Sequence, residues 1–346
     1  MKKFVLLIAI GCFSLQMVFA QLSFSEKRLR DRTLNEAITL ITREQYEQAA
    51  SKLTQCLDLD STFAPAYLQR GRIFIEWGLE EDAMADLDLA VQYDPLPGEA
   101  YFYRGYILFG SDSTGADALQ FDAAISNAYN NPWAYYYRGL ISLREGKDEV
   151  ALADFTSAID LKEDFALAYH ERAGLKKKKG DLQGSHFDYQ TAIVYQPVFP
   201  LAYNNRGSVK ILLGDFEGAI ADYSSALEQD PDLAIALSNR GYAYYYMENL
   251  DNAMQDFDAA LALDENLADA VLNKASLLAK QDQPGPALEL LDGILDDHPD
   301  DAMLFLNRGL IRELSGDLEG ACEDWNRALE LGAEEAETYV KECNNL

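Results

Sequence analysis

Basic residues are scarce in this chain: 29 Lys and Arg stand against 58 Asp and Glu, a formal charge of −29. A phosphate backbone is bound by displacing counterions with surplus Lys and Arg, so no nucleic-acid partner is expected. Histidine is rarer still, with His170, His186 and His298 dispersed and showing no metal-ligand spacing. No nucleophile motif, P-loop, dinucleotide fingerprint or EF-hand loop occurs, so neither an enzyme nor a cofactor or metal site is expected. The acidic run Asp296-Asp297-His298-Pro299-Asp300-Asp301 reads as a solvated turn rather than a calcium site. Beyond the first twenty residues no apolar run reaches the roughly 20 residues that a membrane-spanning helix needs. Against these shortages, 49% of the residues are hydrophobic, which argues against bulk disorder.

The N-terminus reads as an export signal. Lys2-Lys3 precede an apolar stretch from Phe4 into Leu15, and Val18-Phe19-Ala20 places small or modest residues where a signal peptidase cuts, giving a signal peptide over residues 1–20. A lipobox at Ala9-Ile10-Gly11-Cys12, with Cys12 acylated, is the alternative; the very short apolar core before Cys12 and the hydrophobic sequence after it weigh against that. Cleavage removes two Lys and no acid, which leaves a charge of −31, and it leaves Cys56, Cys322 and Cys343. Disulfides are therefore not the main staple: Cys322 and Cys343 either pair where the last helices meet or are small buried thiols. A periplasmic or secreted protein is expected.

One self-offset runs through the whole mature chain. Gly71, Gly105, Gly139, Ala173, Gly207, Gly241, Ala275 and Gly309 are 34 residues apart, and the same step lands on Ala37 and Cys343. A second small column holds Ala49, Ala83, Ala151, Ala219, Ala253, Ala287 and Ala321, and a bulky one holds Leu53, Leu87, Phe121, Phe155, Tyr189, Tyr223, Phe257, Leu291 and Trp325. Nine units without insertion cover 30–63, 64–97, 98–131, 132–165, 166–199, 200–233, 234–267, 268–301 and 302–335, after a lead-in at 21–29 and before a capping helix at 336–346. Within a unit the columns recur at three- and four-residue steps, the signature of two amphipathic helices. Small residues belong where two axes approach closely, with a bulky side chain from the partner beside them. All ten prolines fall in expected turns or first helical turns, and Gly78, Gly146, Gly180, Gly214 and Gly316 sit where the first helix of a unit ends.

Tyr203, Gly207, Ala219, Tyr223, Ala226 and Pro231 complete the pattern in one unit. With it the chain resembles the tetratricopeptide repeat (TPR) family, whose unit has an aromatic and a Gly in its first helix, Ala-x3-aromatic-x2-Ala in its second, and a closing Pro. Departures are local: Asp117 and Ser185 replace the Ala, and the closing Pro is lost at Ser61, Tyr129, Glu163, Glu265 and Ala333. The resemblance implies an all-α fold, a right-handed α-solenoid (superhelix) of nine helix-turn-helix units with first helices lining a concave side. The paired Lys/Asn clamp by which some family members grip chaperone tails is not recognisable.

One column is basic: Arg70, Arg104, Arg138, Arg172, Arg206, Arg240, Lys274 and Arg308. Sixteen residues later stand Asp86, Asp154, Asp188, Asp222, Asp256 and Asp324, and in the first unit the signs are exchanged as Glu36 and Lys52. Exchanged signs mean that the charges recognise each other across the helix pair, so the ladder reads as structural ion pairs. Arg104 faces Gln120 and Lys274 faces Leu290, which makes Arg104 the member most available to a ligand.

On the implied concave side, Phe102, Tyr106, Phe109, Trp133 and Tyr136 form one aromatic patch, and Tyr242 and Tyr245, beside Tyr246, a second. Between them lie His170, Lys177, Lys178, Asn204 and Ser208. Aromatic anchors beside a few polar groups suit an extended peptide or partner helix. The competing readings are that single aromatics fill gaps between helices and that Lys176 to Lys179 are a solvated helix end favoured by the dipole. The expected function is a non-enzymatic interaction scaffold or adaptor of a bacterial envelope that binds a protein or peptide in the groove. The alternative is a carrier of small molecules or cell-wall glycan on the aromatic faces. Self-association through the array's ends is a third possibility. Two Asp-Ser-Thr triplets, at 60–62 and 112–114, resemble O-glycosylation sites of some bacterial envelope proteins.

Overall fold

A computed structural model describes residues 22–110 and 115–343. The expected signal peptide with Cys12 and Ala20, the Asp112-Ser113-Thr114 triplet, and Asn344 and Asn345 of the expected cap lie outside the described residues. The described residues form 19 α-helices and no strand. They divide into two compact units, up to Tyr137 and from Arg138 onward.

The first unit holds α1 (Phe24–Ile41), α2 (Tyr46–Leu59), α3 (Ala64–Glu76), α4 (Glu80–Tyr93), α5 (Gly98–Gly110), α6 (Ala116–Ser126) and the opening turns of α7 (Pro132–Arg144). The second continues with α8 (Asp148–Leu161), α9 (Ala166–Lys178), α10 (Leu182–Tyr195), α11 (Pro200–Leu212), α12 (Phe216–Gln229) and α13 (Ala234–Tyr246). It ends with α14 (Leu250–Leu263), α15 (Ala268–Lys280), α16 (Pro284–Leu295), α17 (Ala302–Leu314), α18 (Leu318–Glu330) and α19 (Ala336–Cys343). In each unit helices pair as hairpins, such as α3 with α4 and α11 with α12, and each hairpin packs on the next in sequence. The fold is thus an all-α repeat solenoid. Residues 24–29, expected as a lead-in, are already helical, because a capping box starts α1: Glu26 Nα–H donates to Ser23 Oγ at 3.3 Å and Ser23 Nα–H to Glu26 Oε2 at 2.8 Å.

The link between the two helices of a hairpin is set by one left-handed residue. Gly78, Gly146, Gly180, Gly214 and Gly316 have φ of 70° to 87°, and Glu44, Glu248 and Asp282, at the same register, have φ of 58° to 61°. Each lets the next amide reach back to the carbonyl five residues earlier, as Leu79 does to Phe74 at 2.9 Å and Gln45 to Leu40 at 2.9 Å. This closes the helix end with a Schellman bond.

The small column is where hairpin axes meet. A Cβ built on Gly139, Gly207, Gly241 or Gly309 would lie 2.5 to 2.7 Å from the ring of Phe155, Tyr223, Phe257 or Trp325. Where the column is Ala275 or Ala37, the facing residue is Leu291 or Leu53, and all four are fully buried. The core is correspondingly divided into small clusters that join neighbouring hairpins, such as Ala226, Leu227, Ala236, Leu237, Ala260 and Ala270.

The basic ladder runs between second helices on both sides. Arg70, Arg138, Arg172, Arg206, Arg240 and Arg308 each donate Nε–H to the carboxylate sixteen residues on, at 2.7 to 2.9 Å, with a second bond from Nη2. Lys52 meets Glu36 at 2.8 Å. Arg70, Arg172, Arg206 and Arg240 also donate Nη1–H to Thr54, Thr156, Gln190 and Ser224, sixteen residues back. That second direction supplies the partners of the two exceptions: Arg104 meets Asp88 at 3.3 Å and Lys274 meets Asp258 at 2.7 Å. Arg104 is therefore already engaged, contrary to the expectation that it stands open to a ligand, although its Nε and Gln120 Oε1 are buried without hydrogen bonds.

Cys322 and Cys343 form a disulfide that holds α19 on α18, where Trp325 stacks on Tyr339 at 4.9 Å. Cys56 is a buried thiol, and burial pushes its pKa up to about 11. In the first Asp-Ser-Thr triplet, Asp60 accepts from the Thr62 hydroxyl at 2.8 Å and from Arg30 at 2.6 Å, so the turn is internally bonded. No helix among the described residues is long and apolar enough to cross a membrane.

Candidate partner-binding surfaces

In the first unit, α3, α5 and the opening of α7 present their residues side by side because the 34-residue register repeats the same helix face. Between them opens a cavity of about 420 Å³ lined by Arg72, Glu76, Phe102, Tyr103, Tyr106, Trp133 and Tyr137, with Ile41, Tyr46, Ile73 and Ile75. Phe102, Tyr106 and Trp133 of the expected patch thus meet at one place, and Phe109 lines an adjoining cavity of about 430 Å³. Tyr106 is 44% exposed, whereas Phe102 and Tyr136 are buried at 7%. Tyr136 packs edge-on against Trp133 at 5.6 Å and does not line either cavity.

The centre of this cluster is Tyr137, which sequence reasoning did not single out. Its ring lies 5.7 Å from Tyr106, 5.0 Å from Phe109, 5.6 Å from Phe121 and 5.7 Å from Trp133. Tyr103 was missed too; burial pushes its phenol up to about 12. Both belong to the column Gln69, Tyr103, Tyr137, next to the one that was read, and its two adjacent tyrosines were the available signal.

In the second unit the polar groups expected to meet a partner bond one another. His170 packs on Phe199 at 4.9 Å, with its Nε2 3.1 Å from Asn205 Nδ2 and its Nδ1 3.2 Å from Glu171 Oε1. Asn204 is 3% exposed, receives Asn239 Nδ2–H at 3.0 Å and donates to Asn205 at 3.1 Å. Ser208 donates to the Asn204 carbonyl at 3.2 Å and accepts from Tyr223 at 3.4 Å. With Asn273 donating to Ser238 at 3.4 Å, these form a ladder that ties successive first helices together.

Of the lysine run, Lys176 meets Asp188 at 2.8 Å, Lys178 meets Asp148 at 2.6 Å and Lys179 pairs with Glu149. Lys177 makes no ion pair among the described residues. The run is thereby bound to α8 and α10. Tyr242 and Tyr246 lie 4.7 Å apart, Tyr245 and Tyr246 5.7 Å apart, and Phe216 stacks on Tyr246 at 5.5 Å. Lys280 Nζ stands 4.7 Å over Tyr245 while pairing with Glu248 at 2.8 Å. Burial and the neighbouring Tyr246 push Tyr242 up to about 12.

Comparison with known proteins agrees with this architecture. Profiles described as tetratricopeptide repeat match residues 64–95, 234–267 and 272–336, and one described as TPR repeat matches 209–247. No curated protein matches in sequence. Among solved structures, a tetratricopeptide repeat protein from Parabacteroides merdae is 19% identical with a TM-score of 0.52, over 81% of this chain and 96% of that one. The pilF protein of Pseudomonas aeruginosa is 20% identical with a TM-score of 0.53, over 62% and 96%. The Cut9–Hcn1 hetero-tetramer of the APC/C matches at 14% identity with a TM-score of 0.60, over 91% and 76%. These likenesses concern the fold. With the repeated columns, the hairpin register and the matched profiles together, the chain is a tetratricopeptide repeat protein.

Proposed function

We propose that this chain is a non-enzymatic scaffold of the bacterial cell envelope that holds a peptide or partner segment against its first helices. The fold is one of protein–protein interaction scaffolds. The observation that carries the finer reading is the aromatic cavity of the first unit, where the exposed Tyr106 and the half-buried Trp133 offer rigid anchors beside a few charged groups. The second unit contributes less, since Asn204 and Ser208 are satisfied internally. Export is supported by the signal-like stretch at residues 1–20 and by the Cys322–Cys343 disulfide, a bond that persists in oxidising compartments.

The test is crosslinked affinity capture from the envelope fraction, comparing wild type with a Tyr106→Ala, Trp133→Ala variant shown by circular dichroism to stay folded. A protein captured by wild type and lost by the variant supports the first unit as the site. An unchanged captured set overturns that reading.

A further inference from the structure

The two cavities of the first unit share Ile75, Tyr106 and Tyr137, so Tyr106 stands between them. Each has one carboxylate in its lining: Glu76, at the end of α3, in one and Glu80, at the start of α4, in the other. Both are exposed, and neither forms an ion pair among the described residues. The one cation of the lining, Arg72, is committed: it donates to Gln69 at 3.0 Å, lies 3.5 Å from Glu99, and stands 5.1 Å over the Tyr103 ring.

This combination selects among ligands. The face of an aromatic ring is electronegative, so several rings around one space attract a cation, and a carboxylate in the lining adds to that attraction. An anionic group entering the same space would meet Glu76 or Glu80 in a chain whose charge is already −29. A purely apolar side chain would strip water from the carboxylates without replacing it. Volumes of about 420 and 430 Å³ exceed a single long side chain, leaving room for the backbone that carries it.

We propose that these cavities receive Lys or Arg side chains of an extended basic partner segment, one on each side of Tyr106, held by the ring faces and by Glu76 and Glu80 of the linings. This rests on the reading of the first unit as a partner-binding surface. It names the chemistry of that partner.

The experiment uses the full chain and N-acetylated, C-amidated hexapeptide pools, degenerate except for one fixed residue, with binding read by fluorescence anisotropy. Pools with Arg or Lys fixed are expected to bind at least about tenfold more tightly than the norleucine pool, and to weaken as salt is added. Glu76→Gln combined with Glu80→Gln, and separately Tyr106→Leu, should each erase the preference, whereas Glu228→Gln on α12 should leave it. A norleucine or Glu pool binding as well as the cationic pools, or a preference that survives in both of the first two variants, would overturn the proposal. So would spermidine competing as strongly as the peptides, because a free polyamine would then be the better occupant. If capture in the preceding experiment is still abolished by the Tyr106→Ala, Trp133→Ala variant, the scaffold reading stands and only the basic-segment reading falls.

Discussion

Arg206 and Asp222 are joined by two parallel hydrogen bonds, Nε to Oδ2 at 2.8 Å and Nη2 to Oδ1 at 2.5 Å, with 8% and 4% of their surfaces exposed. Lys210 reaches the same carboxylate at 2.9 Å. One buried acid therefore balances two cations. Asp222→Ala is expected to destabilise the protein by about 3–5 kcal/mol, because it strands both charges. Replacing the three together, Arg206→Met and Lys210→Met with Asp222→Leu, should cost much less. Thermal unfolding of the single and triple variants checks this, and a triple variant as unstable as Asp222→Ala would reject the account.

Gly241 and Phe257 supply the second prediction. In a helix interior, Gly→Ala ordinarily gains up to about 1 kcal/mol. Here the new Cβ would lie 2.6 Å from the Phe257 ring, so Gly241→Ala should cost about 1–3 kcal/mol instead. Phe257→Leu should recover part of that loss, because the eighth hairpin already combines Ala275 with Leu291 without exposing either. A double-mutant cycle showing no favourable coupling would contradict the argument.

The hairpins were legible because the 34-residue columns encode the close approaches directly, as Gly241 against Phe257 illustrates. What escaped the sequence lay between columns. Arg104 and Lys274 lack an acid sixteen residues ahead, yet each finds one sixteen residues behind, since the side chain lies between two second helices. Asn204 looked available because its bonds to Asn205 and Asn239 run diagonally, to positions outside its own column. Tyr137 went unread because ring clustering depends on side-chain direction, which a column gives only after the helix face is known.

Glu44 occupies the left-handed turn position held by glycine in five other described hairpins, with φ of 58°. A side chain there costs about 1–2 kcal/mol, whereas glycine adopts the conformation without strain but is more flexible when unfolded. Glu44→Gly is therefore expected to stabilise by about 0.5–1 kcal/mol, and Glu44→Ala, which keeps a Cβ, should not. Equal melting midpoints for the two variants would count against the strain.

The Cys322–Cys343 bridge spans 21 residues in sequence. Chain-entropy reasoning assigns such a loop about 3 kcal/mol. Because each hairpin touches only its neighbours, Cys343→Ser should loosen α19 and wet Trp325 while leaving distant hairpins folded. A red shift of Trp325 emission, with circular dichroism nearly unchanged, is the expected result. Global unfolding on reduction would show that the cap supports more than the last hairpin.

Alkaline stability follows from Tyr223, whose side chain is 1% exposed and whose phenol burial pushes up to about 12, against 10 in the unfolded chain. The folded state thus holds this proton more tightly than the unfolded state does. Its contribution is complete below about pH 10 and is lost as pH rises from there through about 12. Tyr103 and Tyr242, also raised to about 12 by burial, act in the same direction. Stability should stay level to about pH 9.5 and then fall, each such phenol steepening the fall by up to about 1.4 kcal/mol per pH unit. Tyr223→Phe removes one titrating group and the 3.4 Å bond to Ser208, so it should be slightly less stable at neutral pH and lose stability less steeply above pH 10. Melting midpoints of the two proteins measured from pH 7 to about pH 11.5 would show the curves converging. Parallel curves would mean that Tyr223 ionises with the same ease folded and unfolded, and that its burial does not guard the proton.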